Sequence, residues 1–395
     1  MIVGKLHVID FDIHRLFARP LTARVSRSWW LSRYRWPHVA MTLSVPDSPS
    51  NQLRKELTAS IETTFDVNAN RPILKHLNAD SSWLLSLPYP SHVDPPPGRC
   101  RYNIVIDVWL RGPQVDLFGW FSSQEHAKPS KIQSFAELND LLCRAETIVT
   151  GRTIDDQKTP YFVDAVCCSH EFTDHCHEAT LRELPSNVPV FAPKKAASLV
   201  RSWKHFKHVE EIPVYGSDYD WHPLEDSRLP GWVGIGRIHT KGDAPIYFHS
   251  ALMFTFALST EPDVETEALV YTPHGVHSDS LTIVHSGKHP LKVLALLHGL
   301  HDISLAGAQL NLGMQNAIKA RKILGARYWA PTHDEQKVAR GIVAAFLKRI
   351  VHTLPVAPGS HPITGVEDGE SDGKKFEVVG ESFIELGNGE CFTLQ

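Results

Sequence analysis

What the sequence lacks narrows it first. No stretch approaches the roughly 18 consecutive apolar residues that a spanning helix needs, so no membrane span is expected. The 395 residues hold only six cysteines, two of them adjacent (Cys167, Cys168), which is no disulfide framework and suits a reducing compartment. Neither sign of charge dominates: a net charge of −4 offers no general attraction to nucleic acid or anionic lipid. The N-terminal MIVGKLHVIDFDIH carries acids where a secretory leader needs an uninterrupted apolar segment. There is no internal repeat of fixed period. These absences predict a cytoplasmic protein with no nucleic-acid partner. What is abundant is histidine, at 23 residues, most of them in the second half.

Residues 1–65 read as an extension. Its segment RSWWLSRYRW (27–36) interleaves Arg with Trp and Tyr. Such a pattern could stack on bases or meet a membrane surface. An arm whose aromatics cover the main domain while its arginines stay in water fits the acidic balance better. Ordered patterning begins near residue 73. ILKHLNADSSWLLSL (73–87) and YNIVIDVWL (102–110) read as two strands joined by a Pro-rich loop, the second reaching Asp107. Ser134 and Glu137 make a capping box for a helix over 134–146. VDAVCCS (163–169) is a short apolar run of the kind that forms a buried strand. A short helix (177–184), a strand (188–193) and an amphipathic helix (194–206) follow it.

Further strands are read at 231–239, 246–259, 268–274 and 291–299. A helix over 315–325, ended by Gly325, leads to the strand ARYWAPTH (326–333). GIVAAFLKRIVHTL (341–354) has the pattern of a final amphipathic helix. Residues 356–375 read as a linker, and KFEVVGESFIELGNGECFTL as a hairpin unit with turns at Gly380 and Asn388-Gly389. Strands alternating with helices predict a layered α/β domain over 66–355. The terminal parts could shape a pocket, cover a sheet edge or build a homodimer.

Loops at strand ends converge while the sheet stays rigid, so ligands bind there. His170 and Asp174-His175 follow one strand, His274 a second, His298 and His301 a third, and His333 a fourth. Neutral imidazole and carboxylate are the donors that zinc, iron or manganese accept. The pattern points to a metal centre, with a metal-free histidine pocket as the alternative. The densest stretch, SHEFTDHCHEAT (169–180), is a poor zinc finger, because Cys167 and Cys168 alternate across a buried strand. No nucleophile-elbow glycine pattern surrounds Ser169 or Cys176.

SHEFTDH (169–175), YTPH (271–274) and APTH (330–333) stand in the order of the metal motifs of the metallo-β-lactamase-fold hydrolases. The chain resembles that family, especially its lactonase-like and phospholipase-D-like branch. HLNADSSWLL before IVIDVWLRGP is similar to the family's opening hairpin, and LPSNVPVFAPKKAASLV to the segment after its motif. The resemblance covers about residues 73–350 and implies an αββα sandwich with the site at one edge of two sheets. Two positions depart from it. The second histidine of (S/T)HxHxDH is Phe172, and the bridging aspartate of the YxGD turn is His274. What survives is Asp174, His175 and His333 with His274 alongside, His170 opposite, and a further histidine at His249 or, in its place, His239.

The resemblance thus implies a metal, Zn2+ or Fe or Mn. One ion is easier to house than two, since several imidazoles with a single carboxylate carry little negative charge. The implied activity is hydrolysis of an ester, lactone, amide or phosphodiester by hydroxide supplied at the metal. Asp174, His170 and His177 would be catalytic, and His298 and His301 would line the pocket for a small-molecule substrate. His177 has a second reading as a solvated first-turn residue. The alternative function is a metal-free or metal-poor derivative: a ligand-binding protein, or a lyase or isomerase using the histidines as acid and base.

Overall fold

A computed structural model describes residues 70–115, 118–151, 161–216, 220–223, 225–240, 247–259, 265–287, 291–354 and 382–395. The 1–65 extension, the 356–375 linker and Gly380 lie outside the described residues. The first half gives β1 (Ile73–His76), β2 (Trp83–Pro88), β3 (Arg101–Ile106), β4 (Gln114–Val115), β5 (Ser123–Glu125) and α1 (Phe135–Thr150). Then come β6 (Ala165–Cys167), α2 (Glu178–Leu181), β7 (Val190–Ala192), α3 (Lys194–Ser202) and β8 (Val209–Glu211). The second half gives β9 (Val233–His239), β10 (Ser250–Phe256), β11 (Thr266–Thr272), β12 (Leu291–His298), β13 (Asp302–Leu305) and β14 (Ala308–Asn311). It closes with α4 (Met314–Leu324), β15 (Tyr328–Ala330), β16 (Val338–Arg340), β17 (Leu347–Ile350) and β18 (Cys391–Thr393).

Two sheets carry the fold, in the orders β18-β1-β2-β3-β6-β7-β8 and β15-β12-β11-β10-β9. Their facing side chains form one core that joins Leu85, Ile104, Ile106 and Phe191 to Leu252, Phe254, Tyr271 and Leu297. Each fully buried side chain of this kind stabilises by roughly 1.5–3 kcal/mol. On the far side of the second sheet, Met253, Val270 and Leu296 pack with Ala320 and Leu324 of α4 and with Leu281 and Val284 of a 3-10 helix (Ser278–Ser286). Helix α3 turns Ala196, Ala197 and Val200 into the protein, outside the core between the sheets. The layering is the expected αββα sandwich.

Local chemistry explains where the expected elements hold and where they do not. Ser134 caps α1, its side chain accepting the Glu137 N–H, and Gly151 ends the helix at φ 63°. The stretch 73–87 is two strands instead of one. Asn78 Oδ1 accepts the N–H groups of Asp80 (2.8 Å) and Ser82 (3.1 Å) and folds the chain back between β1 and β2.

Residues 341–354 do not form the expected helix. Val343–Phe346 is a 3-10 turn, and β17 pairs antiparallel with β13. The edge of β13 needs backbone partners, and that pairing outweighs a helical spacing with no N-cap to start it. Of the expected C-terminal hairpin unit, residues 376–381 lie outside the described residues, and the described part pairs with both sheets. β18 adds to β1, while Phe383 bridges Trp329 in β15, so the segment clasps an edge strand of each sheet.

Candidate metal centre

β3 and β6 run parallel, as do β11, β12 and β15, so within each sheet their carboxyl ends emerge at one edge. Asp107 follows β3, His170 follows β6, His274 follows β11 and His333 follows β15. Two of these, Asp107 (φ 47°) and His333 (φ 60°), hold left-handed backbone conformations that non-glycine residues seldom adopt.

Asp107 is the hub. It is fully buried, and its Oδ1 accepts the Ser169 N–H at 2.6 Å. Its Oδ2 accepts the Ser169 hydroxyl (2.5 Å), the His175 Nδ1–H (2.7 Å) and, from the other sheet, the Tyr271 hydroxyl (2.6 Å). The Ser169 hydroxyl, having donated to Asp107, accepts the His170 Nδ1–H at 2.7 Å. His274 donates its Nδ1–H to Asn311 Oδ1 (2.7 Å), and His333 donates its own to Asp80 Oδ2 (3.1 Å). Every ring is thereby fixed through Nδ1, which leaves Nε2 as the free donor.

The Nε2 atoms of His170, His175 and His274 are buried and have no hydrogen-bond partner. A donor atom from each of these three residues lies within 4.8 Å of the others, and Asp174, His175 and His333 form a second such group. Ring centroids are 4.0 Å apart for His170 and His175 and 4.6 Å for His170 and His274. Burial, reinforced by neighbouring imidazoles, holds His170 and His274 well below the usual histidine range, so both are neutral at pH 7. For His175 burial acts the same way, but the charges of Asp174 and Asp107 outweigh it and raise its pKa. A cation binding there would displace that proton.

Lys337 is the residue that the sequence did not disclose. Its Nζ lies 2.9 Å from Asp174 Oδ2 and 2.8 Å from Asp80 Oδ2. Burial raises the pKa of Asp174, but His175 and Lys337 overcome this and carry it well below the usual carboxylate range. Asp107 and Asp80 were equally unsignalled as site residues. The IDVWL and LNADSS segments marked where they lie without indicating what they hold.

The other expected site residues are placed elsewhere. His249 Nε2 is 2.9 Å from the Leu310 carbonyl, outside both donor groups, and His239 is exposed at the end of β9. His177 is neither solvated nor among the grouped donors. It is nearly buried at the N-cap of α2, with Nδ1 2.8 Å from the Thr180 hydroxyl. His301 Nδ1 accepts the His352 N–H at 3.2 Å. His298 is wholly buried with both nitrogens engaged: Nδ1 donates to the Gly299 carbonyl (2.8 Å) and Nε2 accepts from Asn316 Nδ2 (2.9 Å). Both of its nitrogens are thus satisfied within the protein. Phe172, where the motif expects a ligand, stands edge-on to His170 at 5.2 Å, and Phe248 covers His274 at 4.9 Å.

His298 yields a pH prediction. Burial pushes its pKa down to about 4, against an ordinary value of 6.5. The unfolded chain therefore takes up a proton that the folded one refuses. Stability is intact above pH 6.5 and is lost as pH falls towards 4, by up to about 3 kcal/mol from this residue. Urea unfolding at pH 7.5 and pH 5 should show a smaller drop for His298→Asn than for the wild type. Equal drops would remove His298 as the cause.

No family model and no curated protein matches the chain. Among solved structures it is similar to a long-form RNase Z from yeast, with 11% identity and a TM-score of 0.44, over 82% of this chain and 41% of that one. It is similar to a possible metal-dependent hydrolase from Veillonella parvula, with 12% identity and a TM-score of 0.40, over 67% of this chain and 85% of that one. It is also similar to an isothiocyanate hydrolase from Delia radicum gut bacteria, with 17% identity and a TM-score of 0.38, over 66% and 85%. The chain thus spans less than half the length of the yeast protein. Likenesses this distant carry no chemistry; the reading of the site rests on the residues above. The αββα layering, with histidines gathered at one sheet edge, agrees with the layering that the resemblance to the metallo-β-lactamase-fold hydrolases implied. Among the described residues no helix is long and apolar enough to cross a membrane.

Proposed function

We propose that the protein is a hydrolase dependent on one divalent ion held by His170, His175 and His274. One observation carries this reading: three buried imidazole nitrogens without hydrogen-bond partners converge, each ring fixed by its other nitrogen. An unsatisfied buried polar atom costs about 1–3 kcal/mol, and a cation satisfies all three together. When bound, the ion supplies a Lewis acid and acidifies water.

The chain's own groups supply the rest. Asp174 Oδ1 lies 3.5 Å from His175 Nε2, and its low pKa keeps it a carboxylate able to orient water. His333 Nε2 lies 3.7 Å from Asp174 Oδ2, and burial together with Lys337 keeps the ring neutral. It is positioned to accept the proton that water loses and to return it to the leaving group as the ester, lactone, amide or phosphodiester bond breaks. Phe172 and Phe248 form an apolar wall that excludes bulk water on one side. The test is hydrolysis of chromogenic esters, lactones, amides and phosphodiesters by metal-loaded protein. One class should be turned over, and His274→Ala should lower its rate more than about 100-fold. Inertness towards all four classes, or an unaffected His274→Ala, would overturn the proposal.

A further inference from the structure

Resting on that reading of the centre, we propose that Lys337 acts as a built-in second cation. Its ammonium fills, between Asp80 and Asp174, the position that a second divalent ion would need, and so limits the protein to one ion. Beside the three free imidazoles lies a second donor group, Asp174, His175 and His333, whose donor atoms also lie within 4.8 Å of one another. With His175 Nε2 given to the first ion, Asp174 and His333 are left for a second. Asp80 adds a second carboxylate there: it is fully buried, its Oδ2 faces Lys337, and its Oδ1 has no hydrogen-bond partner. Carboxylates and an imidazole so arranged would suit zinc or manganese.

Lys337 already stands in contact with both carboxylates, at 2.8 and 2.9 Å. A metal bound at about 2.0–2.2 Å from the same oxygens would have to share their space with an ammonium of like charge. The lysine is held in place from several sides. Its Nζ lies over the Trp109 ring, 5.4 Å from the centroid, and Trp109 is stacked on His126. Its backbone N–H donates to the Glu335 carbonyl, and the next residue, Val338, begins β16, which is paired with β5. One positive charge therefore offsets part of two buried negative ones without any metal.

The test counts metal instead of activity. Purified wild type, loaded with excess Mn2+ or Zn2+ and desalted, should hold one ion per chain by elemental mass spectrometry. Lys337→Met should hold two, and its Mn2+ form should give the spin-coupled resonance of a close pair. Asp80→Asn combined with Lys337→Met, which withdraws one carboxylate, should return to one. Folded Lys337→Met that still binds a single ion would overturn the inference. Should Lys337→Met fold only when metal is added, that dependence would support it. The wild type decides the matter even if no variant folds: two ions, or a coupled manganese pair, with Lys337 in place would refute it. Wild type that binds none would overturn the hydrolase reading, and the inference would fall with it.

Discussion

Asp107→Ala is expected to abolish the metal centre and to cost the protein at least about 5 kcal/mol of stability. Asp107 accepts four hydrogen bonds, from Ser169 N–H, Ser169 Oγ, His175 Nδ1 and Tyr271 Oη, and all four donors are buried. Each donor stranded without water costs about 1–3 kcal/mol. Alanine also tolerates the φ of 47° less well than aspartate does. The sum is comparable to the whole stability of an ordinary domain, so insoluble protein or a thermal midpoint lower by more than about 10 °C should result. Asp107→Asn separates the two roles. It keeps one acceptor oxygen and the backbone preference, so the chain should fold, while the misaligned His175 ring lowers metal affinity about 10–100-fold. A midpoint and affinity like those of the wild type in both variants would remove Asp107 from the centre.

Removing the metal is expected to produce the second large effect. A ligand that binds only the native state at 1,000 times its dissociation constant adds about 4 kcal/mol of stability. Chelation should therefore lower the thermal midpoint, and added Zn2+ or Mn2+ should restore it. His170→Ala/His274→Ala lacks two of the three free nitrogens and should ignore both treatments. A wild-type midpoint indifferent to chelator and metal would contradict the proposed centre.

The sequence disclosed where the site lies better than which side chains form it. His170, His274 and His333 could be found because each follows a short apolar strand, and parallel neighbours bring such ends to one edge. His249 and His298 sit close to strand ends in the same way, yet the Leu310 carbonyl and Asn316 claim their nitrogens. Those partners come from distant segments that no local pattern reveals. Lys337 is a stronger case. It lies in the stretch between the strand at 326–333 and the helix expected at 341–354, for which the sequence offered no reading, and it meets two carboxylates beside the pairing of β16 with β5. The misread helix at 341–354 has a related cause: the edge of β13 recruits Leu347–Ile350 as β17, and that pairing with a distant segment is not visible in local spacing.

The most direct measurement is metal content by elemental mass spectrometry on protein purified without chelator or affinity histidines, beside His175→Ala. His175 is the residue shared by both donor groups. About one zinc, iron or manganese per chain in the wild type and almost none in the variant is the expected result. A wild type without metal, or a variant that keeps it, would contradict the assignment of these histidines as ligands.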